Sequence, residues 1–159
     1  MDYFQGVVTE YLRADRSCFI NPEFWLRGNL DKAKQYEKPH WYVDVLAVHM
    51  RLKQVFLCEV TYAKKAPALI ARLKLWREHW PVILQTLRED TSLPSDWPVR
   101  PWLFAPKEVM VSLRPIAQPI AMELHPDPRF TDLEDVVPWR YRNWDHHHDE
   151  PPEPLAISP

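Results

Sequence analysis

Hydrophobic residues recur at three- and four-residue intervals in two segments of the chain, the pattern of amphipathic helices. The first segment ends near Asp15, and its apolar positions are Tyr3, Phe4, Val7, Val8, Tyr11 and Leu12. The second begins at Pro67, which suits the first turn of a helix, and its apolar positions are Leu69, Leu73, Trp76, Trp80, Ile83 and Leu87. Because Pro81 removes a backbone donor, we expect the second helix to be kinked or divided there.

Two other segments are apolar at nearly every position, which is typical of central strands covered on both faces. They are WYVDVLAVHM (41–50) and QVFLCEVTYA (54–63), and only three residues separate them. So short a connection predicts a hairpin between neighbouring strands. An acid inside either strand needs an explanation, since a carboxylate is costly to bury.

Shorter segments flank these elements. Residues 17–27 are rich in aromatic side chains but interrupted by Pro22, so they predict an edge or irregular strand. Residues 99–109 predict a strand after the long helix, and residues 111–124 predict one or two short extended pieces. The polar segment 28–39 predicts a surface loop.

The order of these elements predicts one α/β domain with a central mixed sheet of about four strands flanked by helices. A chain of 159 residues with 46% hydrophobic and 26% charged residues suits a single packed core. We expect residues 1–145 to form this domain and residues 146–159, which are acidic and rich in histidine and proline, to form a flexible tail.

The chain has the sequence features of a cytoplasmic protein. The first residues lack the pattern of a secretory signal, and no apolar run approaches the roughly 20 residues that a membrane helix needs. Cys18 and Cys58 lie in apolar stretches without a C-x-x-C pair, so we expect reduced thiols in the core.

Charge is segregated along the chain although the net charge is only −2. Residues 62–79 hold five basic side chains against one acid, whereas the residues from Glu123 onward hold nine acids against three arginines. The basic side chains are Lys64, Lys65, Arg72, Lys74 and Arg77. They are either the solvated side of an amphipathic helix or a surface for phosphate groups, and on the second interpretation Arg72, Lys74 and Arg77 contact nucleic acid.

Asp44 and Glu59 are acids inside the two apolar strands. Side chains alternate across a strand, so the two carboxylates converge if the strands are neighbours. Convergent carboxylates repel each other unless a cation neutralises them. Mg²⁺ or Mn²⁺ suits such a site, because magnesium needs only one or two protein carboxylates in addition to water and phosphate ligands. The competing interpretation pairs each acid with the backbone or with an arginine or lysine.

The order of the elements, with Asp44 in the second strand and Glu59-Val60-Thr61 in the third, resembles the PD-(D/E)xK nuclease-like superfamily over roughly residues 1–110. The resemblance implies the restriction-endonuclease-like core of order αβββαβ. It also implies that Asp44, Glu59 and Glu10 of the first helix hold the metal. The competing interpretation of Glu10 is a solvated helical glutamate.

The family lysine is where this chain departs from the pattern. It would stand two residues after Glu59, where the sequence has Thr61. That lysine is thought to orient the attacking water and to offset the charge that develops at phosphorus, and threonine supplies no charge. We expect Lys64 or Lys65, or Lys74 further along the helix, to bring an ammonium group to the same point.

The leading hypothesis is a nuclease that hydrolyses DNA or RNA with Mg²⁺ or Mn²⁺. With two glycines in the chain a glycine-rich nucleotide site is excluded, and there is no G-x-S-x-G or H-E-x-x-H motif. One alternative is a catalytically inactive protein of the same fold that binds nucleic acid, a protein partner or a second copy of itself. Another is a protein-interaction domain whose acidic residues 123–159 dock a basic partner.

Two other features have plain interpretations. The histidine run 146–148 offers metal ligands, but it stands beside a proline-rich end without the spacing of a closed site, so we expect only adventitious nickel or zinc there. Trp76 and Trp80 lie on the apolar stripe of the second helix, so we expect core packing for them and not base stacking.

Overall fold

A five-stranded mixed sheet runs through the part of the chain that this computed structural model describes, residues 2–26 and 42–136. In chain order the elements are α1 (Tyr3–Arg13), β1 (Cys18–Trp25), β2 (Tyr42–His49), β3 (Gln54–Val60), α2 (Pro67–Thr91), β4 (Val99–Ala105), α3 (Lys107–Leu124), β5 (Arg129–Asp132) and a 3-10 helix (Leu133–Asp135). The strands lie in chain order, with β1, β2 and β3 antiparallel and β3, β4 and β5 parallel. The α/β class and the order αβββαβ are confirmed, and α3 and β5 are added to them.

Helices cover both faces of the sheet. On one face α2 and α3 pack in a hydrophobic cluster that includes Leu73, Trp76 and Leu103. On the opposite face α1 packs in a second cluster that includes Val8 and Trp102. Because β2 and β3 are covered on both sides, their side chains are buried on both faces, which accounts for the nearly continuous apolar runs in the sequence.

The extended pieces predicted for residues 111–124 are wrong, because this segment belongs to helix α3. Pro115 and Pro119 suggested extended backbone, yet both lie on the exposed side of the helix. Four residues apart, they leave the buried stripe intact. That stripe consists of Val109, Met110, Leu113, Ala117, Ile120, Ala121 and Leu124. Its packing against the sheet outweighs the two lost backbone donors. The predicted strand 99–109 accordingly ends at Ala105.

Helix α2 is not divided at Pro81, which lies inside one continuous helix of 25 residues. Trp76 and Ile83 are buried on either side of the proline, so the apolar stripe passes it without interruption. Trp76 is a core residue, as predicted, and Trp80 is partly buried against the same cluster.

The remaining predictions concern β1, the cysteines and the chain segments outside the described residues. β1 is the first strand of the described sheet and pairs with β2 through a register that includes Pro22, as an edge position allows. Cys18 and Cys58 are free thiols and buried. The predicted loop 28–39 and tail 146–159 lie outside the described residues. Within residues 2–26 and 42–136, no helix has the length and apolar character needed to cross a membrane.

A buried polar network joins the end of α1 to the β2–β3 connection. Nε2 of His49 lies 2.8 Å from Oδ2 of Asp15, and their side chains are 1% and 2% exposed. The backbone N–H of Leu52 donates to Nδ1 of His49, which leaves Nε2 as the nitrogen that carries the proton and donates to Asp15. The second oxygen of Asp15 accepts from the backbone N–H of Ser17. The network therefore ties the α1–β1 turn to the hairpin.

Replacing Asp15 with alanine is expected to lower the free energy of unfolding by about 1–3 kcal/mol, because the buried His49 and the partly buried N–H of Ser17 lose their acceptor. Chemical denaturation measures this value. Asp96→Ala is the matched control, since Asp96 is exposed and its loss is expected to change stability by less than about 0.5 kcal/mol. Equal effects of the two substitutions would show that the network does not stabilise the fold.

Candidate functional site

Asp44 and Glu59 lie next to each other on the antiparallel strands β2 and β3. The last pair in the register of these strands is Val45 with Cys58, so each acid stands one residue beyond it. Both side chains lie on the sheet face that α2 covers, and the residues are only 5% and 2% exposed. The structure thus brings together the two acids that the alternation of side chains indicated.

One guanidinium nitrogen of Arg72 contacts both acids. Nη1 of Arg72 donates a hydrogen bond to Oε2 of Glu59 and lies 3.7 Å from Oδ1 of Asp44. The arginine reaches the pair from the second turn of α2, and its side chain is 29% exposed where those of the acids are 6% and 2% exposed. The positive charge of Arg72 therefore lies between the buried carboxylates and the solvent.

The carboxylate of Asp44 is held in place by two hydrogen bonds. Nε2 of Gln5 donates to Oδ1 at 2.8 Å, and the backbone N–H of Val60 donates to Oδ2 at 2.8 Å. Gln5 is itself oriented by a capping box at the start of α1, in which its backbone N–H donates to Asp2 and its side-chain oxygen accepts from the backbone of Asp2. The start of α1 therefore positions Asp44.

The carboxylate of Glu59 is less completely hydrogen-bonded than that of Asp44. Its Oε2 accepts from Arg72, but its Oε1 is buried and has no hydrogen-bond donor in the described part of the chain. A buried carboxylate oxygen without a donor or a cation is costly. A proton on Glu59 or a bound cation would each relieve that cost.

Burial and mutual repulsion shift the ionisation of this site. Burial, reinforced by the charge of Asp44, raises the pKa of Glu59 well above its usual value, and Arg72 offsets only part of the increase. Burial also raises the pKa of Asp44, against the hydrogen bond from Val60 and the charge of Arg72. The pKa of Tyr42 is raised by burial and by the nearby charge of Asp44. The fold thus makes the doubly ionised pair costly.

In the described part of the chain, none of the other residues named for the metal and for catalysis forms a hydrogen bond or ion pair with these two acids. Glu10 is on the exposed side of α1, where its carboxylate lies 2.6 Å from Nη1 of Arg13. Thr61 follows β3 directly, and its hydroxyl accepts from a backbone N–H within the same loop. Lys64 and Lys65 are exposed in this loop, which connects β3 to α2.

The three basic residues predicted to contact nucleic acid do not form one surface. Arg72 points inward to the carboxylates, and Arg77 pairs with Glu123 of α3 at 3.3 Å. Lys74 is exposed on α2. The basic segment therefore divides between an ion pair within the site, an ion pair with α3 and side chains that remain in solvent.

Asp44 and Glu59 are the side chains of this site that a divalent cation would bind. No group of three or more histidine, cysteine, aspartate or glutamate side chains converges within the described residues, so Glu10 does not complete a three-carboxylate shell. Magnesium does not need such a shell, because it binds one or two protein carboxylates and keeps several waters. Asp44 and Glu59 supply that number of carboxylates, and Arg72 already contacts both of them.

Comparison with known protein families, with curated proteins and with solved structures finds no match to this chain. The candidate site therefore rests on the geometry of its own residues.

Gln5 and Arg72 have roles that the sequence analysis did not assign to them. For Arg72 a signal was present, since it stands three residues after Leu69 and four before Trp76, on the buried side of α2. An arginine at such a position has its head near the core. Gln5 carried no comparable signal, because a capping glutamine usually has only a local partner.

Replacing Glu59 with glutamine is expected to flatten the decline of the free energy of unfolding as the pH rises above 4.5, the ordinary pKa of a glutamate. The folded-state pKa of Glu59 lies above its ordinary 4.5. Its favourable contribution is therefore complete below the pKa of the unfolded chain and is lost as pH rises through the folded pKa. Chemical denaturation at several pH values measures the slope. Glu10→Gln is the control, and an equal slope in both variants would contradict the account.

Proposed function

We propose that this protein is a metal-dependent nuclease that hydrolyses phosphodiester bonds in nucleic acid. The observation that carries the proposal is the convergence of the Asp44 and Glu59 carboxylates from adjacent strands, beside the start of a basic helix. The element order αβββαβ supports it, because that is the order implied by the resemblance to PD-(D/E)xK nucleases.

Asp44 and Glu59 would hold the cation, Glu59 through the oxygen that has no donor. Bound Mg²⁺ or Mn²⁺ supplies an activated water and polarises a phosphoryl oxygen. The protein contributes the positions of the two ligands. Gln5 and the backbone N–H of Val60 fix the orientation of Asp44, and the cover of α2 keeps the pair in surroundings where charges interact strongly.

Positive charge at this site comes from outside the E-x-T element. Arg72 is permanently charged, touches both acids and is partly exposed, so a phosphate group that reaches the pair also reaches a guanidinium. Lys64 and Lys65 stand exposed in the loop that leads from Glu59 to α2. These three cations offset charge at phosphorus, the role of the lysine that Thr61 replaces.

A second candidate function follows from the same arginine. Arg72 offsets part of the charge of the carboxylates, and the raised pKa of Glu59 favours its neutral form, so the pair does not require a metal ion, as in a catalytically inactive protein of this fold. Such a protein would bind nucleic acid or a protein partner with an affinity that does not depend on Mg²⁺. Metal dependence separates the two candidates.

The test is cleavage of single- and double-stranded DNA and RNA with Mg²⁺, Mn²⁺ or EDTA. We expect cleavage only with metal, and we expect Asp44→Asn and Glu59→Gln each to reduce it by roughly 10²-fold or more, the loss typical when one group that stabilises developing charge is removed. Glu10→Gln is the matched control and should retain activity, because Glu10 pairs with Arg13 away from the site.

Cleavage that survives both substitutions would contradict the assignment of the site. Loss of activity in Glu10→Gln would show that the metal shell differs from the one described. If no substrate is cut with any metal while nucleic acid still binds in EDTA, the inactive protein is the correct interpretation.

A further inference from the structure

Exposed aromatic rings form a row at the start of α1 and in the loop after β3. Tyr3 is 77% exposed and Tyr62 is 57% exposed. Phe4 lies between them, with its ring centroid 5.4 Å from that of Tyr3 and 5.0 Å from that of Tyr62. The three rings make one continuous aromatic surface that is open to solvent at both ends.

The residues of this surface are close in the chain to two groups that hold Asp44. Tyr3 stands two residues before Gln5, whose amide donates to Asp44. Tyr62 stands two residues after Val60, whose backbone N–H donates to the same carboxylate. The rings therefore belong to the same two chain segments, the start of α1 and the end of β3, that hold Asp44.

A second exposed ring lies on the other side of the pair. Trp25, at the end of β1, is 51% exposed and meets the ring of Tyr42 edge to face at 5.2 Å. Tyr42 is two residues before Asp44, and the guanidinium of Arg72 lies 5.5 Å from its ring centroid. Since β2 lies between β1 and β3 in the sheet, the exposed rings of β1 and of the loop after β3 lie on opposite sides of the strand that carries Asp44.

Cations are interleaved with these rings. Lys64 and Lys65 follow Tyr62 in the same exposed loop, and Arg72 lies against the ring of Tyr42, which Trp25 contacts. Rings beside cations are the surface that single-stranded nucleic acid requires, because its bases stack on aromatic faces while its phosphates need positive charge. The bases of a duplex are already stacked on one another and present no free face. A protein partner could cover the rings but has no general need for the adjoining cations.

We propose that Tyr3, Tyr62 and Trp25 form a base-stacking platform, which makes single-stranded nucleic acid the substrate class of this site. The catalytic meaning of the platform rests on the proposed nuclease function. The binding of single strands does not rest on that function, because stacking needs no metal ion.

The test is fluorescence anisotropy in EDTA with a labelled oligothymidylate, a labelled oligouridylate and a labelled blunt-ended duplex. We expect both single strands to bind more tightly than the duplex, and we expect Tyr3→Ala and Tyr62→Ala each to weaken single-strand binding by about tenfold. The oligothymidylate and oligouridylate arms show whether DNA or RNA is preferred. Thermal unfolding of each variant should match the wild type, since both tyrosines are exposed.

Two control variants make the result specific. Phe19→Ala removes a ring that is 64% exposed and stands opposite Val48, toward the other end of β2, so it should not change binding. Tyr62→Phe keeps the ring and should retain the wild-type affinity. The proposal is overturned if the duplex binds as tightly as the single strands, if Phe19→Ala costs as much as Tyr62→Ala, or if Tyr62→Phe fails to retain binding. Single-strand binding without any cleavage would contradict the proposed nuclease function but would not contradict the base-stacking platform.

Discussion

Asp44 and Glu59 are buried in a hydrophobic sheet against the guanidinium of Arg72, and the rest of the site depends on that contact. Two carboxylates at such a position repel each other and lose hydration, which the raised pKa values of both record. Arg72 reaches them only because the apolar stripe of α2 packs on the sheet beside β3. The first turn of α1 adds the donor that holds Asp44 from the other direction. Three elements thus stabilise a pair of charged side chains that would be unfavourable in a purely hydrophobic core. Functional sites commonly contain such locally unfavourable groups.

The sequence predicted those parts of the fold whose signal is local. Continuous apolar runs indicated β2 and β3, the three-residue connection indicated their pairing, and the strict alternation of side chains placed Asp44 and Glu59 on one face. Helix α3 was missed because Pro115 and Pro119 are poor helix residues by intrinsic propensity. Their position on the exposed face, which only the packed structure defines, makes them tolerable.

The contacts within the site were harder to predict from the sequence, because they depend on the direction in which long side chains point. Glu10 matched the resemblance by its position in the chain, yet the phase of α1 points it to solvent, and Gln5 is the residue that reaches Asp44. Arg72 was counted with the solvated cations although it pairs inside the sheet. The exposed rings of Tyr3 and Tyr62 could not be separated from core aromatics by hydropathy, since exposure is a property of the assembled fold.

Calorimetric titration with Mg²⁺ tests most directly whether this pair is a metal site, and magnesium is chosen because the histidines of the run 146–148 are poor ligands for it. The account predicts that one ion binds per chain and releases protons, since metal binding requires the ionised form of Glu59 and burial raises the pKa of that group. It also predicts that replacing Asp44 with asparagine and Glu59 with glutamine together abolishes the binding. No Mg²⁺ binding by the wild-type protein, or binding that survives the double substitution, would contradict it.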